Sequence, residues 1–293
     1  MKSRLVKVFL LIFLIVTSSA AFGADFRLLL EQKENGTINW SDGIVEAKGI
    51  GLPPNYAYYS GSQAHSPETI SEAINIAQHN LLETIVNIRI NSELRVIDIV
   101  ENFPSVMFQL RNMVHKAPEV EELRKYLTDG TVEVWSQMSL RGGFSQLILP
   151  PEIRQIEPIK QVTRGKNPVV LGMRSHSSEI YTGLVVDARG LQAVPVLAPK
   201  ILAENLEEVF GPAYASREFA VQWGMVSYTI DVRKAKNHLR VSDNPLIVKA
   251  LKSLWPGSCN FIISNADADK LRSASAHLVF LKECRVVIVI DPL

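Results

Sequence analysis

The clearest periodic signal in the chain lies over residues 66–88. Ile70, Ala73, Ile74, Ala77, Leu81, Ile85 and Ile88 recur at spacings of three and four, which puts them on one stripe of an α-helix. Ser66 is placed to cap that helix, and Pro67 occupies the first turn, where its missing N–H costs nothing. An apolar stripe needs a surface to cover, and a strand pair precedes it. Thr37-Ile38-Asn39-Trp40 and Ile44-Val45-Glu46-Ala47 flank Asp42-Gly43, a hairpin signature. Ile88-Arg89-Ile90 reads as extended. Pro104 with Val106, Met107, Leu110, Met113 and Val114 predicts a second amphipathic helix, closed before Pro118. Residues 120–127 suit a helix through Val120, Leu123 and Leu127, or a strand that turns at Asp129-Gly130 into residues 132–140; the hairpin is favoured.

Pro150, Pro151, Pro158 and Pro168 then break the pattern. They predict an α+β domain over residues 24–150, a proline-rich linker over 151–168 and a second α+β domain over 169–293. In the second domain residues 180–186 form an apolar strand running into Asp187-Ala188-Arg189-Gly190, and Arg217-Glu218 opens a helix after Ser216. Asn244-Pro245 followed by Leu246, Val248, Leu251 and Leu254 predicts a helix stopped by Pro256-Gly257. Phe261-Ile262-Ile263, a short helix from Asn265 and the run 286–290 read as strand, crossover, strand, long enough for parallel neighbours. The fold class expected is α+β in two domains, helices on mostly antiparallel sheets, with a parallel strand pair in the second.

The first residues read differently. Lys2, Arg4 and Lys7 precede a wholly apolar run over 8–16 and a small-residue stretch ending at Gly23, the pattern of an export signal occupying residues 1–23. The apolar run is too short to span a bilayer, which takes about 20 residues, so no transmembrane segment is expected in the mature chain and its compartment is expected to be the bacterial periplasm. No cysteine lies at the junction to carry a lipid. The formal charge of +1 falls to about −2 once the leader's three cations are removed, and no run of Lys or Arg remains. Nucleic acid is therefore not an expected partner.

Two cysteines in an oxidising compartment make a Cys259–Cys284 disulfide slightly favoured over two buried thiols, provided the strands that follow them lie side by side. Asn35-Gly36-Thr37 matches a glycosylation sequon but reads better as a turn. Gly49-Ile50-Gly51 has the first two glycines of a phosphate loop without the rest, and reads as a glycine-marked strand end or bulge. The six histidines (His65, His79, His115, His176, His238, His277) are scattered, so no metal site or cofactor is expected. No Gly-x-Ser-x-Gly elbow or Ser-x-x-Lys pattern is present, and Lys270 and Ser273 stand in the reverse order. Trp40, Tyr56, Tyr58 and Tyr59 concentrate aromatic surface, read first as packing. One polar cluster is carried forward: Asp187 and Arg189 at a strand end with Arg217 and Glu218 at a helix start, either a ligand-binding site or a salt-bridge network that fixes the loop before Gly190.

The strand Ala47-Lys48-Gly49, the helix bearing Ala73, Ala77, Leu81, Leu82 and Glu83, the extended Ile88-Arg89-Ile90 and the later Asp129-Gly130-Thr131-Val132-Glu133-Val134 with Leu140-Arg141-Gly142 together resemble a bacterial outer-membrane lipoprotein family. That family includes a flagellar basal-disk protein and the N-terminal domain of the flagellar T-ring protein. The resemblance covers the first domain and implies an envelope assembly or interaction module. The expected function is thus a non-enzymatic exported protein whose partners are envelope or outer-membrane proteins, self-association included. The alternative is a periplasmic ligand-binding protein or hydrolase with its site in the C-terminal domain.

Overall fold

Residues 28–53, 66–154 and 180–293 are described by a computed structural model of the chain. The leader, Tyr56, Tyr58, Tyr59, His65, His176 and positions 155–168 of the expected linker lie outside the described residues.

The N-terminal half is one antiparallel sheet backed by helices. Strands β1 (Leu30–Gln32), β2 (Thr37–Asn39), β3 (Ile44–Gly51), β4 (Lys125–Tyr126) and β5 (Val132–Ser139) are ordered β1-β2-β3-β5-β4. The expected hairpin pairs Ile38 with Val45, and the favoured second hairpin pairs Tyr126 with Val132. Helix α1 (Pro67–Val86) lies across β3 and β5, capped as expected: the Ser66 hydroxyl accepts from the Thr69 N–H at 3.2 Å. Ala73, Ala77, Leu81 and Ile85 of its stripe are buried, as is Ile88 just beyond it.

Gly49 and Gly51 explain how closely this helix sits. A Cβ on Gly49 would lie 2.0 Å from the Ala73 carbonyl oxygen, and one on Gly51 the same distance from that of Thr69. The pair marks the end of β3, as expected, without a bulge, and it lets two backbones touch; Asn80 Nδ2 donates to the Lys48 carbonyl at 2.8 Å across the contact. Helix α2 (Val96–Asn102), unanticipated in the sequence, precedes α3 (Pro104–His115), the expected second helix, and α4 (Gly143–Ile148) follows β5.

The C-terminal half holds two four-stranded sheets. Strands β6 (Gly183–Asp187), β9 (Ser227–Thr229), β10 (Pro245–Lys249) and β13 (Val286–Val289) form a sheet ordered β10-β6-β13-β9, parallel throughout. Its apolar runs are buried on both faces, as parallel sheets require. Leu184, Val186, Val286 and Ile288 join the main core, while Val185, Val287 and Val289 pack with Ala235 and Val241 on the other side. Strands β7 (Lys200–Ala203), β8 (Glu208–Phe210), β11 (Lys252–Ser253) and β12 (Asn260–Ile263) form the second sheet, ordered β11-β12-β7-β8, in which β12 and β7 run parallel between antiparallel edges. Helices α5 (Arg217–Trp223), α6 (Val232–Lys236), α7 (Asn265–Arg272) and α8 (Ser275–Lys282) complete the half.

Three expectations are corrected here. Residues 245–249 are a strand, not the start of a helix. Leu246 and Val248 alternate into the core, and the helix-like spacing to Leu251 arises because the chain bends at Ala250 and passes to the second sheet, where Leu251 N–H donates to the Ile262 carbonyl at 2.7 Å. The crossover from β12 to β13 does not join neighbours; each strand finds its parallel partners in a different sheet. For the same reason Cys259 and Cys284 do not pair: both are free and buried. Burial pushes both thiols up to about 12, so neither is a ready nucleophile.

The halves are joined by packing. One buried apolar cluster contains Val45, Leu81 and Phe144 of the first half together with Leu184, Phe261 and Ile288 of the second. At its seam the Trp40 ring meets the Tyr228 ring edge to face at 5.8 Å, and the Tyr228 hydroxyl donates to the Val196 carbonyl at 2.8 Å. Backbone bonds cross as well: Ala198 N–H to the Ile90 carbonyl at 2.7 Å and Gly142 N–H to the Val221 carbonyl at 2.8 Å.

Candidate functional site

The four residues carried forward from the sequence fall at opposite ends of the parallel sheet. Asp187 closes β6 at the carboxyl end. Its carboxylate accepts from Arg189 Nε at 2.8 Å and Nη2 at 2.9 Å, and Lys249 Nζ lies 3.6 Å away. The hydrogen bonds from Arg189, with Lys249 adding attraction, hold the Asp187 carboxyl below its ordinary range. Gly190, at φ +84°, turns the chain there, and its N–H donates to Asp291 at 2.7 Å. Asp187, Arg189, Lys249 and Asp291 all take part in holding the 187–190 turn.

Arg217 opens α5 at the other end, where the Ser216 N–H meets the Lys282 carbonyl ahead of β13. Its guanidinium donates to the Gln146 carbonyl at 2.7 Å and the Pro150 carbonyl at 3.1 Å, tying the end of α4 to the second half. Glu218 follows it in the first turn of the helix. Asp187 with Arg189, and Arg217, are therefore two separate structural devices, Glu218 is exposed, and the four residues do not come together.

A feature absent from the sequence reading lies between the halves. A cavity of about 790 Å³ is bounded by Ser41, Asp42 and Arg141 from the first half and by Phe219, Trp223, His238, Arg240 and Glu283 among others from the second. It opens where β9, β10 and β13 begin. Arg240 is held by the chain itself: Nη1 donates to the carbonyls of Gly224 and Cys284, each at 2.9 Å, and Nη2 donates to that of Trp223. Burial, with Arg141 adding repulsion, draws its guanidinium down to about 10. His238 is likewise held below its ordinary value by burial and by the charges of Arg240 and Arg141. Its Nδ1 accepts the Arg240 backbone N–H at 3.1 Å, which leaves the neutral ring's proton on Nε2. The two acids of the wall are already engaged: Glu283 pairs with Arg285 at 2.8 Å, and Asp42 accepts from Asn39 Nδ2 at 2.7 Å. No sequence pattern marks this site, because Arg141 stands about a hundred residues before His238 and Arg240.

His277 has a plain structural role. It is fully buried, its Nε2 accepting from the Tyr181 N–H at 3.1 Å and its Nδ1 facing the Lys270 carbonyl at 2.8 Å. Among the described residues no cluster of three potential metal ligands occurs, and no helix is long and apolar enough to cross a membrane.

The segment 245–255 has a different character. It is the outer strand of both C-terminal sheets, with β10 paired to β6 and β11 to β12. Ile247, Leu251, Leu254 and Trp255 are exposed along it. Among the described residues its outer edge has no partner strand.

Comparison with protein families matches residues 183–292 to a model described as the second domain of Treponema pallidum Tp0624. The matched segment coincides with the two-sheet C-terminal half and, as in that description, follows another domain. Comparison with curated proteins finds no match.

Proposed function

We propose that this chain is an exported, non-enzymatic component of the bacterial cell envelope that works by contact, as an assembly factor or a structural module. The 245–255 edge carries this reading. It is one segment that supplies the edge strands β10 and β11 of two sheets, with no partner strand on its outer side among the described residues and four exposed apolar side chains along it. Such an edge invites aggregation unless a partner covers it. The occupant it suits is an extended segment of an envelope protein added as a further strand, with apolar side chains for Leu251 and Trp255 and an acidic flank for the exposed Lys252. The resemblance of the first half to outer-membrane lipoproteins and flagellar basal-disk proteins supports the same class of role. The competing idea of a ligand or hydrolytic site at Asp187, Arg189, Arg217 and Glu218 has no common pocket to support it.

A photoreactive residue in place of Trp255, activated in intact cells, tests the proposal. The expected result is a discrete adduct with an envelope protein that disappears in an Ile247→Glu, Leu251→Glu variant of unchanged melting temperature. Recovery of uncrosslinked monomer alone would refute it. Amino-terminal sequencing of the same material should begin near Ala24.

A further inference from the structure

The cleft between the halves has an imbalance that the fold does not resolve. Arg141 lines it with a guanidinium that has no hydrogen-bond or ion-pair partner among the described residues; only its backbone N–H is engaged, by Ser139. Arg240 spends three of its five N–H donors on the carbonyls of Trp223, Gly224 and Cys284, leaving Nε and one Nη2 proton free. These two cations and His238 are near enough to perturb one another; Glu283 is neutralised by Arg285, and Asp42, which accepts only from the neutral Asn39 amide, leaves the lining with one guanidinium more than it has carboxylates. Like charges gathered in a partly dry cavity are unfavourable without a counter-charge. Phe219 and Trp223 supply an aromatic wall on the same cavity, whose volume suits a small organic molecule.

We propose that this cleft binds a small oxyanion with an apolar body, a phosphate monoester or a carboxylate, gripped by Arg141 from one half and Arg240 from the other while the body lies against Phe219 and Trp223. The His238 Nε2–H is the third donor. Guanidinium groups match both anions by paired N–H bonds, so the shared chemistry is the planar fork on two oxygens. This site is independent of the 245–255 edge and survives the failure of that reading.

Titration calorimetry of the purified protein with phenyl phosphate, inorganic phosphate and benzoate tests it. Phenyl phosphate or benzoate should bind in the submillimolar range, at least tenfold tighter than inorganic phosphate, and raise the melting temperature. Whichever of the two aromatic anions binds tighter identifies the head group. Arg141→Ala removes a side chain whose guanidinium has no hydrogen-bond or ion-pair partner among the described residues, so it should fold normally and lose at least tenfold in affinity, whereas Arg272→Ala, which removes an arginine paired with Glu207 outside the cavity, should change affinity less than threefold. Absence of binding by all three probes at millimolar concentration would overturn the proposal, as would equal affinity in the parent and Arg141→Ala.

Discussion

Replacing Gly49 with alanine tests the close helix–strand contact on which the first half is built. The added Cβ would sit 2.0 Å from the Ala73 carbonyl oxygen and 2.3 Å from the Ala77 nitrogen, where ordinary contact begins near 3.4 Å. Both obstacles are backbone, so no side chain can swing aside; helix and strand must separate by more than 1 Å. That movement would thin the packing of Ala73, Ala77, Leu81 and Ile85, all buried, and stretch the Asn80–Lys48 hydrogen bond. Overpacking of this kind costs about 3 kcal/mol. Alanine's stiffer unfolded chain returns about 0.5–1 kcal/mol, leaving a net loss of about 2 kcal/mol and a melting temperature lower by about 4–8 °C. Thermal unfolding followed by circular dichroism measures it. Lys48→Ala, one residue away on the opposite face, removes the part-buried ion pair to Glu133 at 2.5 Å and a contact with the Trp135 ring, together worth about 1 kcal/mol. If Gly49→Ala melts at or above the parent temperature, the glycine is not there for close approach and the account of this interface is wrong.

Arg217→Ala strips donors from the Gln146 and Pro150 carbonyls and should lower stability by about 2 kcal/mol, read as a lower urea midpoint; an unchanged midpoint would mean that the α4–α5 tie is dispensable. Tyr228→Phe should cost about 1–2 kcal/mol by leaving the buried Val196 carbonyl and N–H without their shared hydroxyl, with the same midpoint as the measure. His238 is held below its ordinary value when folded, so the unfolded chain takes up the proton first and stability must fall as pH drops below about 6.5. His238→Gln should flatten that decline between neutral and mildly acid pH, and an identical slope in both proteins would count against it. Asp187, held low by Arg189, contributes stability that is present above the ordinary carboxyl value and lost as pH falls through the lowered one; Asp187→Asn should remove that acid-side loss while lowering stability at pH 7, tracked by melting temperature against pH.

Elements whose signal is local were legible in the sequence. The Ser66 cap, the stripe from Ala73 to Ile85 and the Asp42-Gly43 hairpin each depend on residues a few positions apart, and each is found as read. Partnerships decided at long range were not. Residues 261–263 and 286–290 read correctly as strands, but nothing within either run specifies that β13 inserts between β6 and β9 while β12 pairs with β7. The disulfide expectation fell with that assumption. Residues 245–254 misled for another reason: a bent strand that changes sheets puts apolar residues at irregular intervals, and these mimic a helical period. The cleft was invisible because Arg141, His238 and Arg240 are unremarkable singly and acquire meaning only where the halves meet.

That meeting is what gives the cleft a fixed shape. A pair of domains joined by a linker alone could relieve the repulsion between Arg141 and Arg240 by drifting apart. Here the same buried cluster continues through both halves, the Trp40 and Tyr228 rings lock its seam, and backbone bonds at Ala198 and Gly142 cross it. Arg240 cannot retreat either, since three carbonyls hold its guanidinium. The chain therefore keeps two cations on one cavity, with elements on either side that are packed against each other. A site preorganised in this way loses little order on binding, so a counter-ion that fits it gains affinity from the repulsion it relieves.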